Sequence, residues 1–188
     1  MTNSNPKLTE KTITTKPIFS GKVISLQIDT VELPDGSTGT REIIRHPGAV
    51  AVLAVKDGRL LLVDQYRQAL GRCELEIPAG KLEAGEDPME AARRELREET
   101  GYQCAKITLL HSFYTSPGFA DEIIHLYLAE ELTAGDMALD EDEFLEVIEA
   151  NYEEVQRYIE EGRISDAKTI LAAYIWRLQL IGSRETGK

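Results

Sequence analysis

Apolar residues fall along this chain in two rhythms. From Ala49 to Val55 and from Leu60 to Tyr66 they run almost unbroken, joined at Asp57-Gly58, which predicts two buried strands linked by a hairpin. Cys73 to Ile77 alternates and runs into the turn Pro78-Ala79-Gly80. From Pro88 to Thr100 the period becomes helical: Met89, Ala92 and Leu96 form an apolar stripe, and Glu95, Glu98 and Glu99 fall on another face. Asp87 suits the N-cap, Pro88 the first helical position, Glu90 completes a D-x-x-E capping box, and Gly101 stands where a left-handed stop would fall. Ala105 to Tyr114 and Ile123 to Leu128 read as strands on either side of Thr115-Ser116-Pro117-Gly118. An acidic loop, Thr133 to Glu143, leads to a strand over Phe144 to Ile148. Asn151 caps a helix that reads to Glu161 and stops at Gly162. Ser165 or Asp166 caps a final amphipathic helix with Ile170, Tyr174, Ile175 and Leu178 facing inward.

The N-terminal stretch is different. Met1 to about Lys11 is polar, and Ile13 to Arg45 reads as short strands: Val23 to Leu33, a turn at Pro34-Asp35-Gly36, then Thr38 to Arg45. Three strands at most are too few to be stable alone, so this piece must pack on the main domain or on a second subunit. His46-Pro47-Gly48 punctuates the boundary, giving an N-terminal β region over 1–46 and a main domain over 47–188. The order strands, helix, strands, helix, helix predicts an α+β fold, an α/β sandwich of helices on a mixed sheet.

Charge narrows the partners. A formal net charge of -12 and a pI near 4.8 argue against nucleic acid and anionic membranes, which need a basic footprint. An anionic substrate would then require metal ions and locally placed Arg or Lys. Cys73 and Cys104 have neither CxxC nor zinc spacing, and no apolar run is long enough to span a bilayer. With no apolar signal-like region at the N-terminus, the expected location is the cytoplasm.

The acidic helix face carries the candidate chemistry. A solvated face would tolerate such like-charge pairs at about 0.2–0.5 kcal/mol each. A cluster of carboxylates and no softer ligand also suits Mg²⁺ or Mn²⁺, which would turn the repulsion into binding energy. The spacing decides: Gly80, five residues, Glu86, seven residues, Arg94-Glu95-Leu96, one residue, Glu98-Glu99, one residue, Gly101-Tyr102. Seven fixed residues would match by chance at roughly 10⁻⁷ per start position. This stretch resembles the Nudix box, the signature of hydrolases that cut nucleoside diphosphates linked to another moiety; Tyr102 stands where an aliphatic residue is more usual. Pro117, fifteen residues past Tyr102, in Ser116-Pro117-Gly118-Phe119-Ala120-Asp121-Glu122, resembles the substrate loop of the ADP-ribose pyrophosphatase branch.

The resemblance implies a Nudix fold and a set of roles. Glu95, Glu98, Glu99 and the Ala79 carbonyl would hold Mg²⁺, with Mn²⁺ as the alternative, joined by Glu143. Glu86 and Arg94 would pair and orient the helix. Arg67 and Arg41 would hold the diphosphate, Glu42 would lie on the adenine side, and Pro117, Gly118 and Glu122 would line the substrate loop. Phe19 lies near the expected adenine platform, although the aligned position falls closer to Val23. Glu141 and Glu143 are the candidates for a catalytic loop carboxylate, alongside Glu98. The implied reaction is metal-dependent hydrolysis of ADP-ribose to AMP and ribose 5-phosphate by a homodimer that exchanges N-terminal strands. A nucleotide sugar, a dinucleoside polyphosphate or an oxidised nucleotide as substrate, and a silent nucleotide-binding module, stand as the alternatives.

Overall fold

The computed structural model describes residues 5–139 and 143–185, and its chain falls into two compact units. One unit comprises residues up to Gly48 together with Tyr114–Ile123; the other comprises Ala49–Phe113 with the chain from Ile124 onward.

The first unit is a three-stranded antiparallel sheet of β1 (Lys11–Ser20), β2 (Ser25–Glu32) and β3 (Thr38–Arg45), in that order. Leu33 N–H bonds to Ser37 O across the turn, where Gly36 takes the positive φ that its neighbours would resist. The residues 114–123 join this sheet at β3. Ile44 N–H donates to Phe119 O at 2.7 Å and Asp121 N–H donates to Ile44 O at 3.2 Å, forming a parallel bridge between Ile44 and Ala120.

The second unit is built on β4 (Ala49–Lys56), β5 (Arg59–Arg67), β6 (Arg72–Glu76), β7 (Ala79–Lys81), α1 (Pro88–Thr100), β8 (Tyr102–Tyr114), β9 (Ile123–Ala134), β10 (Leu145–Ala150), α2 (Tyr152–Glu160) and α3 (Ala167–Glu185). The sheet runs β10-β5-β4-β9-β8, with β6 added to β5 and β7 to β4. β4 and β9 are parallel, whereas β5 pairs antiparallel with β4, β6 and β10. The sheet is therefore mixed, as expected.

The unbroken apolar run of β4 follows from burial on both faces. Val50, Val52 and Ala54 pack with Ala91, Ala92 and Leu96 of α1. Ala49, Ala51 and Leu53 pack with Val155 of α2 and Ala172, Ala173 and Trp176 of α3. This is the α/β/α layering.

Three local expectations change. Met89 is exposed, and Ala91 takes its place in the buried stripe of α1. Asp87 caps α1 by accepting from the Met89 and Glu90 N–H groups, but the Glu90 carboxylate lies 3.9 Å from Arg93 Nε, and no reciprocal capping bond is seen among the described residues. On α3 the buried face is Thr169, Ala172, Ala173 and Trp176, while Tyr174 and Leu178 are exposed. Two small alanines let the α3 backbone approach the sheet, and the larger side chains at 174 and 178 turn outward. Asp166 rather than Ser165 caps α3, accepting from Thr169 N–H at 2.9 Å. Among the described residues no helix is long and apolar enough to cross a membrane.

Candidate active site

The second unit gathers the box residues around Arg94. α1 places Glu95 and Glu98 within one turn of it. Arg94 Nε and Nη2 hold Glu86 bidentately at 2.8 and 3.0 Å, and Nη1 reaches Glu95 at 2.7 Å and Glu98 at 3.1 Å. The pair between Glu86 and Arg94 ties the loop before the helix to the helix itself. Contact with Arg94 holds the Glu86 carboxyl below the usual range, and Glu86 in turn raises the Arg94 guanidinium. Glu98 also meets Arg97 Nη2 at 3.2 Å.

Glu95 and Glu99, one turn apart, are the box carboxylates that burial leaves raised. A Cβ on Gly80 would stand 1.9 Å from Glu95 Oε1, so the glycine supplies the space that the carboxylate fills. Burial raises the Glu95 carboxyl, and Glu98 and Glu143 add to the rise against the opposing pull of Arg94. Glu99 is 2% exposed and accepts one hydrogen bond from Ala79 N–H at 3.0 Å. Its burial, reinforced by Glu95 and Glu143 and only partly offset by Ala79 N–H and Arg67, pushes its pKa up to about 8.

These donors fit a hard divalent cation in their chemistry. All are carboxylate oxygens, they repel one another, and a cation among them would relieve both the repulsion and the burial of Glu99. As they stand, Glu95 and Glu98 face Arg94, and among the described residues no three acidic, His or Cys side chains are drawn together tightly enough to close around an ion. Glu143 accepts from Gln65 Nε2 at 3.4 Å. Glu141 lies outside the described residues.

Arg67, at the end of β5, is engaged within the protein. Its Nε and Nη2 bind Glu76 bidentately at 2.5 and 2.8 Å. Burial pushes the Glu76 carboxyl up, but Arg67 and Lys168 outweigh it and leave it below the usual range. Glu74 and Glu76 are both buried on β6 and belong to no motif of the sequence. Glu74 accepts from Ser165 N–H and Oγ–H and from Asp166 N–H, receiving the start of α3. The only sequence signal was two glutamates flanking a core leucine in a strand.

The first unit carries the other candidates. Arg41 is on β3, paired with Glu10, and Glu42 is exposed beside it. Phe19 on β1 is exposed, with its ring edge against Gly21, and Val23 is also exposed. Pro117 and Gly118 occupy the turn closed by Phe119 N–H to Ser116 O at 3.1 Å. That turn is anchored at its far end. Asp121 accepts from His46 N–H at 2.8 Å and from Arg45 Nη1 at 2.9 Å, and Thr115 Oγ1 donates to Glu122 at 2.6 Å. Burial raises the Asp121 carboxyl, but Arg45 and His46 N–H overcome this and lower it.

The NUDIX domain family model matches residues 44–172, which span the box and most of both flanking layers. This chain belongs to the NUDIX family. With every carboxylate of the Nudix box in place, it is a hydrolase of that family. It is 54% identical over 175 residues to the ADP-ribose pyrophosphatase of Bacillus subtilis (strain 168), covering 92% of this chain and 95% of that protein. It is 56% identical over 173 residues to the methanol dehydrogenase activator of Bacillus methanolicus, covering 90% and 94%. A solved structure of an ADP compounds hydrolase superposes with a TM-score of 0.84 at 21% identity, over 96% of this chain and 98% of that one, and supports the Nudix fold.

Proposed function

We propose that this Nudix hydrolase cleaves the diphosphate of ADP-ribose to AMP and ribose 5-phosphate in a metal-dependent reaction. The observation that carries the reaction class is the carboxylate row of α1, with Glu99 buried against Ala79 N–H and Glu95, half-buried over Gly80, held by Arg94. The substrate is supported by the ADP-ribose pyrophosphatase relative and by Pro117 in its anchored loop.

In this reading Glu95, Glu98 and Glu99, with Glu143 and the Ala79 carbonyl as further candidates, would hold Mg²⁺ or Mn²⁺, which would supply charge neutralisation of the diphosphate and a more acidic water. Arg67 offers the diphosphate its Nη1, which lies outside the Glu76 pair, and Arg41, held by Glu10 and by the Thr40 carbonyl, is the second arginine of this reading. Glu42 serves the adenine side, while Pro117, Gly118 and Glu122 shape the substrate loop. A water attacks one phosphorus in line, and Glu143 takes or positions its proton. Glu86 and Arg94 keep the helix face aligned.

We also infer a homodimer in which the N-terminal strands are exchanged. Every residue of β1 is exposed, including Ile13, Ile18 and Phe19, in a sheet of only three strands. Light scattering that finds a fully active monomer would remove this part. Two free cysteines suit a cytoplasmic location.

The deciding experiment is product analysis with ADP-ribose, Mg²⁺ and ¹⁸O-labelled water, with and without EDTA. Metal-dependent AMP and ribose 5-phosphate support the proposal, and the label identifies the phosphorus attacked. Failure to cleave ADP-ribose by folded protein discards the substrate and moves the search to nucleotide sugars and dinucleoside polyphosphates.

The methanol dehydrogenase activator relative favours a second reading, in which the protein raises the turnover of a dehydrogenase. Activation that survives Glu99→Gln would come from binding; activation lost with it would come from hydrolysis.

A further inference from the structure

The segment Glu76-Ile77-Pro78-Ala79 is held at both ends. Ala79 N–H reaches Glu99 on α1. At the other end the start of α3 grips the segment twice: Thr169 Oγ1 accepts from Ile77 N–H at 3.0 Å, and Lys168 Nζ binds Glu76. Lys168 also lies 3.0 Å from Asp166 Oδ2, the cap of its own helix. It is 7% exposed, an unusual place for a lysine unless its charge is used. Glu76 therefore carries two cations, Lys168 on Oε2 and Arg67 across both oxygens.

This arrangement restricts Arg67 from behind. Glu76 alone could rotate and follow the guanidinium outward. With Lys168 on Oε2, and Lys168 itself tied to Asp166, the carboxylate plane is fixed. The bidentate contact then fixes the plane of Arg67, with Nη1 outside the pair. An arginine held this way loses less freedom when an anion arrives than one that is free to move.

We propose that Lys168 is a positioning residue for the substrate diphosphate, acting through Glu76 on the Arg67 guanidinium. The proposal rests on the reading of Arg67 as a diphosphate ligand. It makes the start of α3 part of substrate affinity.

The test is kinetic and by calorimetry on the full chain. Lys168→Met is expected to raise KM for ADP-ribose about tenfold with kcat within about twofold, and Lys168→Arg to restore KM. In an Arg67→Ala background Lys168→Met should change KM no further, because its route of action is gone. A KM increase that persists in that background, or a loss confined to kcat, overturns the proposal. If Lys168→Met does not fold, Lys168→Gln takes its place. Binding of ADP, followed by calorimetry in EDTA, reads the same device without turnover and should weaken about tenfold in the Lys168 variant. If ADP-ribose is not cleaved but ADP binding weakens as stated, the substrate assignment fails and the positioning role stands. If wild type and variant bind ADP equally, or neither binds it, the positioning role fails.

Discussion

The carboxylate of Glu95 occupies the space a side chain on Gly80 would need. A methyl group there would lie 1.9–2.4 Å from the Glu95 carboxyl atoms. The glycine at the start of the box is thus a steric requirement of the helix face opposite it. Gly80→Ala is expected to push Glu95 off Arg94 and lower kcat by on the order of 10²-fold, the usual consequence of a misplacement of about 1 Å. The fold should survive with a loss of about 1–3 kcal/mol. Activity and thermal melting measured together check it; near-normal kcat would show that Glu95 can move without consequence.

Glu99 gives a pH-dependent signature. Its folded pKa of about 8 lies above the ordinary value of 4.5, so the folded state holds the proton more tightly than the unfolded chain. The group's contribution is therefore fully present below about pH 4.5 and is lost as pH rises through about 8. Glu99→Gln mimics the protonated form permanently. In EDTA it should melt higher than wild type at pH 8, by on the order of 5 °C, with the gap closing toward pH 5. Added Mg²⁺ should raise the melting temperature of wild type but hardly that of the variant, and kcat should fall by several orders of magnitude. Equal melting of the two proteins across this range would count against the burial argument.

Arg94 neutralises three carboxylates, and lysine cannot replace its fork. Arg94→Lys loses the bidentate hold on Glu86 and one of the two contacts made by Nη1. A stability loss of about 2–4 kcal/mol is expected, somewhat below that for a fully buried pair because the group keeps some solvent contact. Urea unfolding at pH 7 measures it. A loss smaller than about 0.5 kcal/mol would mean that the carboxylates find other partners.

Asp121 anchors the turn that carries Pro117. Asp121→Ala removes the acceptor for His46 N–H and for Arg45. The His46 amide should then exchange its hydrogen faster, and KM for ADP-ribose should rise several-fold with kcat nearly kept. Hydrogen exchange and kinetics read the two halves separately; unchanged exchange would show that the bridge at Ile44 holds the turn by itself.

The helix of the box was legible because its signals are local. Asp87, Pro88 and Gly101 mark its ends by backbone chemistry, and Glu86 and Arg94 announce each other through spacing. The β4 run was legible because burial on both faces leaves no polar position. What escaped depends on elements distant in sequence. Glu74 and Glu76 look like the solvent side of an alternating strand until the start of α3, some 90 residues later, arrives with Ser165 and Lys168. Tyr174 and Leu178 look like the apolar face of a helix, but closeness to the sheet favoured Ala172 and Ala173 instead. The pairing of Arg67 with Glu76 was not legible either, because nothing local in the sequence marks Glu76 as buried.

The first unit has a consequence for the order of events during synthesis. His46 is bonded to Asp121, 75 residues further along, and the whole second unit's first half lies between them. At about 5–20 residues per second, β3 would wait roughly 4–15 s for the segment that completes its edge. During that interval the nascent chain carries three strands with an open margin. In the strand-exchanged homodimer proposed above, that interval is when a second nascent chain would find the margin open, and pairing between copies would begin before either chain is finished.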